Sequence, residues 1–167
     1  MKFEDGIALW ADAGVDFVVI DGVAMLVHGA ARATQDIDFC YARSRENTRK
    51  LASTMKPFRP RLRGTPKGLP FAFDEETIRR GLNFTLSTDL GDIDFLGEVA
   101  GLGDFKAVRA ESRLMDQFGR QFYVLTVEGL LRAKRAAGRK KDEEGIHMLE
   151  SLREMELKRR SSDAKNS

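Results

Sequence analysis

The stretch Asp21-Gly22-Val23-Ala24-Met25-Leu26-Val27-His28-Gly29-Ala30-Ala31-Arg32-Ala33-Thr34-Gln35-Asp36-Ile37-Asp38-Phe39 decides how this chain is read. It follows Phe17-Val18-Val19-Ile20, a continuous apolar run of the kind that forms a strand covered on both faces. Gly22 and Gly29 bracket a short helical segment, Val23 to Val27. The first amides of such a helix have no intrahelical partner and suit a phosphate. From Asp36 to Tyr41 the pattern alternates strictly. Ile37, Phe39 and Tyr41 therefore share one face of a strand, and Asp36, Asp38 and Cys40 the other. Aspartate is disfavoured in strands, so a doubled one asks for a reason. Two carboxylates on one face can share a hard cation such as Mg²⁺, or stand as solvated strand residues.

Working outward, Ile7, Trp10 and Ala11 fall at helical spacing in residues 4–13, and Gly14 suits the stop. Ser44 is placed to cap a helix running to about Met55, and Asp74 one running through Arg80. Asn83 to Ser87 alternates, Thr88-Asp89-Leu90-Gly91 supplies turn residues, and Asp92 to Leu96 returns as the antiparallel partner. Asp94 lies on that returning strand and meets Asp36 and Asp38 if the strands pair. Residues 97–104 read as loop, and Gln121 to Leu125 as a strand. Thr126 caps a helix to Ala137 that Gly138 ends, and a last helix spans Lys141 to Leu157. The class is α/β (or α+β), a small mixed sheet flanked by helices. Residues 1–157 form one domain, and 158–167 a polar tail expected to be disordered.

Between Lys56 and Pro70 lie five basic residues (Lys56, Arg59, Arg61, Arg63, Lys67), no acid, and all four prolines of the protein. This segment reads as an extended irregular loop, either simply solvated or a landing surface for polyanions such as RNA. The net charge of +2 decides nothing by itself. One cysteine, Cys40, excludes an internal disulfide and a cysteine-based zinc cluster, and reads as a packed apolar side chain. His28 reads as a packed or capping histidine. No apolar run approaches the roughly 20 residues of a membrane span. The acidic start Met1-Lys2-Phe3-Glu4-Asp5 is not followed by a signal-type segment, so the expected compartment is the cytoplasm, with no membrane partner. Lys134, Arg139 and Lys141 flank a helix end with Asp142 beyond, and either contact a triphosphate or sit in water. Arg32 and Thr34 can bind phosphate, or Thr34 can merely fix the turn.

Taken together, Gly22, His28-Gly29-x-x-Arg32-x-Thr34-x-Asp36-Ile37-Asp38-Phe39, Gly91-Asp92-Ile93-Asp94-Phe95-Leu96-Gly97 and Leu130-Leu131-x-x-Lys134-x-x-x-x-Arg139-x-x-Asp142 resemble three segments of one family. These are the minimal nucleotidyltransferases of the DNA polymerase β superfamily, in particular the AbiEii-toxin-like group. The likeness extends over about residues 15–155. It implies Mg²⁺-dependent transfer of a nucleoside monophosphate from an NTP to an acceptor hydroxyl of RNA (a tRNA end among the choices), a protein or a small molecule, with release of pyrophosphate. By position, Asp36 and Asp38 would ligate two Mg²⁺ ions, and Asp94 would complete the metal that activates the acceptor. Gly22 and the following amides, starting at Val23, would hold the outer phosphates. Lys134 would neutralise the triphosphate, with Arg32, Thr34, Arg139 and Asp142 around it. The family's usual Gly-Gly or Gly-Ser is Asp21-Gly22 here. That departure points to an alternative: a catalytically degenerate module that binds nucleotide or a partner. The likeness also suggests a toxin beside a cognate antitoxin.

Overall fold

The computed structural model describes residues 3–31 and 34–167. The elements run in the order α1 (Phe3–Asp12), β1 (Phe17–Ile20), α2 (Asp21–Val27), β2 (Ile37–Tyr41), α3 (Arg45–Met55), β3 (Arg61–Leu62), α4 (Glu75–Arg80), β4 (Asn83–Thr88) and β5 (Gly91–Leu96). Then follow β6 (Glu98–Val99), β7 (Gly103–Asp104), α5 (Phe105–Ala110), β8 (Ser112–Gln117), β9 (Arg120–Leu125), α6 (Val127–Ala137) and α7 (Glu143–Lys165). Seven strands form one mixed sheet in the order β3-β4-β5-β2-β1-β9-β8, and β6 and β7 pair separately. The expected small mixed sheet flanked by helices is what forms.

Register fixes what the sheet presents on each face. The antiparallel β1–β2 ladder sets Ile20 opposite Asp38, and the parallel β2–β5 ladder sets Asp38 opposite Asp94. Residues directly across a ladder share a face. One face therefore carries Phe17, Phe39, Tyr41, Phe84, Ile93 and Phe95, all buried. Trp10 of α1 packs edge-on against Phe39, with ring centroids 4.1 Å apart, and also meets Phe17 and Phe95. This aromatic cluster anchors the sheet and fixes the register of β2 against β5: a one-residue slip would exchange Phe39 for Asp38 in the core. The opposite face holds Asp38 and Asp94, with the apolar residues Ile20, Cys40 and Leu96 beside them.

Helix ends follow their expected caps. Ser44 accepts from the Asn47 amide at 3.2 Å, Asp74 from Thr77 at 2.8 Å, and Thr126 from Gly129 at 3.1 Å. Gly138 ends α6 at φ +61, a conformation that costs glycine little. Because Thr126 sets the start of the helix that carries Lys134, Thr126→Ala is expected to lower stability by about 1 kcal/mol. Urea unfolding checks this.

Four segments differ from their expected form. Residues 97–104 are not all loop but hold the β6–β7 hairpin. α5 and β8 have no sequence counterpart; in the edge strand β8, largely exposed, the two apolar residues Leu114 and Met115 are adjacent, so it shows no apolar alternation. The proline-rich segment contains a 3-10 turn at Lys56–Phe58 and the two-residue edge strand β3, consistent with prolines excluding an inner strand. The last helix continues past Leu157 to Lys165, because residues 143–165 contain no proline and their one glycine, Gly145, sits in the first turn. Residues 158–167 are exposed throughout.

Candidate active site

Asp38 and Asp94 face one another across two central strands because the β2–β5 ladder puts them in register. Asp36 precedes β2 by one residue and stays on the same side. The three aspartates line one cavity of about 340 Å³, together with Asp21, Gly22, Thr34, Gln35, Arg139, Lys141 and Asp142. The structure thus brings the expected carboxylates to one place, beside the glycine turn and the α6 motif. Among the described residues, no group of three or more acidic, His or Cys side chains stands close enough to hold a metal ion as it is.

Burial, with repulsion from Asp21, Asp94 and Asp36, pushes the Asp38 carboxyl up to about 8. Burial also raises Asp94, while Arg63 and a hydrogen bond with Asp38 pull it back part of the way. Arg63 Nη2 lies 2.9 Å from Asp94 Oδ1, and Arg63 Nε 3.3 Å from Asp92. Neither Arg63 Nε nor Asp94 Oδ1 makes a hydrogen bond of good geometry there, although both are buried. Carboxyl oxygens gathered on one cavity wall, one of them buried without a well-made hydrogen bond, are donors of the kind a hard divalent cation takes.

The glycine turn is built by close approach. A Cβ on Gly22 would stand 2.7 Å from Thr34 Oγ1. Thr34 in turn donates to the Asp36 carbonyl at 3.0 Å, so glycine at 22 lets the loop leading to the acids lie against the start of α2. The Val23 side chain is buried in the core, which leaves only its backbone for a ligand. Asp21 takes φ +55, a left-handed conformation unusual for a side-chain-bearing residue.

Asp21 is held there by Lys134. The Lys134 ammonium is buried, 2.8 Å from Asp21 Oδ1 and 3.5 Å from Asp142 Oδ1. Arg139 Nε closes the chain 2.7 Å from Asp142 Oδ2. Burial works to raise Asp142, but the Arg139 hydrogen bond and the Lys134 charge outweigh it and keep the carboxyl below its ordinary value. Lys134, expected to neutralise a triphosphate, is instead engaged by two carboxylates of its own chain. Arg139 and Lys141 remain at the cavity wall as more open cations.

The remaining readings divide. Arg32 lies outside the described residues. Of the five cations assigned to a polyanion surface, Lys56, Arg61 and Lys67 are exposed, Arg59 is paired with Asp89 at 2.7 Å, and Arg63 is turned inward onto the acids. Sequence reasoning therefore missed Arg63 as a site residue, and no local signal marks it: only the pairing of β3 with β4 brings it there. His28 packs as expected, its Nε2 2.8 Å from the Leu125 carbonyl. Cys40 is fully buried, and burial pushes its thiol up to about 12, which leaves it inert. Among the described residues, no helix is long and apolar enough to cross a membrane.

No protein-family model and no curated protein matches this chain. Solved structures do share its fold. The lincosamide antibiotic adenylyltransferase LnuA, solved with lincomycin bound, is similar at 14% identity and a TM-score of 0.60, over 91% of this chain and 98% of that one. A protein from Thermotoga maritima described as a nucleotidyltransferase is similar at 15% identity and a TM-score of 0.58, over 87% of this chain and 91% of that one. The antibiotic-resistance factor ANT(2'')-Ia, in complex with adenylyl-2''-tobramycin, matches at 14% identity and a TM-score of 0.53, over 96% and 94% of the two chains. At identities this low the shared property is the fold, and the fold is that of nucleotidyltransferases.

Proposed function

We propose that this protein is a Mg²⁺-dependent nucleotidyltransferase that moves a nucleoside monophosphate from an NTP to an acceptor hydroxyl and releases pyrophosphate. The observation that carries the reading is the convergence of Asp36, Asp38 and Asp94 on one cavity, through strand register, beside the Gly22 turn. Mg²⁺ held by these three carboxylates would neutralise triphosphate charge and bring acceptor and leaving oxygens into line. The chain's own contribution is positioning and electrostatics. Gly22 admits backbone close to the outer phosphates, with Thr34 fixing the approach of Asp36. Arg139 and Lys141 face the leaving pyrophosphate. Asp94, at the Arg63 side of the cavity, takes the acceptor's proton.

This reading assigns the cytoplasm, where NTPs are present, as the working compartment. The motif likeness further supports placement with the AbiEii-toxin-like enzymes and a toxin role beside an antitoxin. The exposed Lys56, Arg61 and Lys67 support RNA as the acceptor. A second reading, a degenerate module that binds nucleotide or a partner without turnover, is favoured by the Asp21–Lys134 pair, which sets a negative charge beside the triphosphate site and ties up a cation. Incubation with α-³²P-labelled NTPs, Mg²⁺ and total RNA, cell lysate or small-molecule acceptors separates the two. Label transfer by the wild type and its loss in Asp36→Ala is expected. Equal labelling in both proteins rejects the acid site. No labelling, with Mg²⁺–NTP still raising the melting temperature, leaves the binding module.

A further inference from the structure

A cavity of about 720 Å³ lies between α3 and the proline-rich segment, and it shares no residue with the acid cavity. Arg49, Ala52 and Ser53 of α3 form one wall, and Lys56, Arg59, Arg61 and Phe71 form the other. Pro57, Pro60, Pro66 and Pro70 hold the segment out of a helix or an inner strand. It is fastened on both sides of the cavity. The Phe58 carbonyl accepts from the Asp89 amide at 2.9 Å, and Phe73 stacks on Phe95 with ring centroids 5.6 Å apart.

Four cations against two acids, Asp74 and Glu75, leave the cavity positive. Both acids are engaged within the fold. Asp74 accepts from the Thr77 amide at 2.8 Å, and Glu75 lies 3.7 Å from Arg45 and 3.8 Å from Arg49. Arg59 is taken by Asp89, whose carboxyl also feels the Arg61 charge. Lys56 and Arg61 are exposed, and among the described residues neither reaches a carboxylate at ion-pair distance. Phe71 is half-buried and, unlike Phe73, makes no ring contact among the described residues. A positive wall that holds an aromatic ring suits a nucleotide unit: the cations take the phosphate, and the ring takes the base whatever its identity. Position favours a unit within a strand. From Arg61 the chain runs two residues along the sheet edge to Arg63, which reaches Asp94 at 2.9 Å. A strand whose end enters the acid cavity on the Asp94 side and crosses β3 meets this cavity next.

We infer that this cavity holds single-stranded RNA at a nucleotide away from its reacting end, with phosphates on Lys56 and Arg61 and one base against Phe71. The inference rests on the nucleotidyltransferase reading with RNA as the acceptor, and adds to it a site apart from the acids. The test is fluorescence anisotropy of a short fluorescein-labelled oligoadenylate RNA with the full chain, without Mg²⁺ or NTP. Lys56→Gln combined with Arg61→Gln is expected to weaken binding at least about 10-fold at low salt. It should also lower the slope of log K against log salt by about 1.4, for two lost phosphate contacts at about 0.7 each. Phe71→Leu keeps apolar packing but removes the π face, and is expected to weaken binding about 5-fold or more with the slope unchanged. Lys158→Gln combined with Arg159→Gln removes the same charge from the exposed end of α7 and is expected to leave binding unchanged. Urea midpoints confirm that each variant folds. A wild type that does not bind the RNA, unchanged binding by either cavity variant, or an equal loss in the α7 variant overturns the inference. AMP that competes as tightly as unlabelled oligoadenylate assigns the cavity to a free nucleotide and overturns the strand. Because the assay holds neither Mg²⁺ nor NTP, its failure leaves label transfer to a protein or small molecule untouched. RNA binding at the cavity with no label transfer to any acceptor removes the nucleotidyltransferase reading and keeps the site as an RNA-binding one.

Discussion

Asparagine in place of Asp38 is expected to abolish nucleotidyl transfer and, in Mg²⁺-free buffer near pH 8, to raise the melting temperature. Both effects come from one carboxyl. Asp38 sits between Asp36 and Asp94 in the cavity, and an amide offers a cation one neutral oxygen where an ionised carboxylate would offer two oxygens sharing a negative charge. A transfer loss of at least about 10³-fold, enough to leave no detectable label, is expected, since catalysis here is electrostatic positioning. The stability effect follows from the same burial. Asp38 is raised from 3.8 to about 8 in the folded chain. Between those values the folded state binds more protons than the unfolded one, so stability falls as pH rises through the interval. It is fully present below about pH 4 and lost through about pH 8. The variant carries no such proton, and its stability profile is flatter. Added Mg²⁺ is expected to restore the wild type near pH 8, because a ligand that binds only the folded state stabilises it, and to do little for the variant. Calorimetric melts across the pH range, with and without Mg²⁺, check this. A variant that melts lower than wild type near pH 8, or that still transfers label, rejects the role given to Asp38.

The acids were legible because strand alternation is local. Asp36, Ile37, Asp38 and Phe39 declare two faces without reference to any other part of the chain, and the hairpin that brings Asp94 back has its turn residues in plain order. Asp94 then needed one tertiary fact, that β5 lies beside β2 in parallel register, and the fold supplies it. What was not legible depends on elements that pair weakly or pack late. β3 is two residues long, within a proline-rich run, and nothing local says that Arg63 beyond it will turn onto Asp94. β8 forms at a sheet edge where no apolar pattern is required. Asp21 was visible as a departure from the family pattern. Its partner could not be read, because 113 residues separate it from Lys134.

That pair carries the other large expected effect. Lys134→Met removes the cation from between Asp21 and Asp142 while roughly keeping the side-chain volume. The Lys134 and Asp142 side chains are each 5% exposed, so the ammonium cannot be replaced by water without reopening the site. Breaking a buried ion pair by removing one partner typically costs about 3–5 kcal/mol, because the remaining charge is left desolvated. The loss should sit at the low end here, because Arg139 still holds Asp142 at 2.7 Å. Asp21 is the less buried partner, 38% exposed, and its backbone is at φ +55. Asp21→Gly therefore removes a carboxylate that water can partly solvate and relieves a strain of roughly 1 kcal/mol. Made in the Lys134→Met background, it is expected to recover part of the lost stability, and the two substitutions are expected to be non-additive because the residues touch. Urea unfolding of the wild type, both single variants and the double variant closes the cycle. Additive losses would mean that the Asp21–Lys134 contact stores no coupling. A stable Lys134→Met with unchanged midpoint would mean that Asp142 and Arg139 suffice to hold the α6 end of the site.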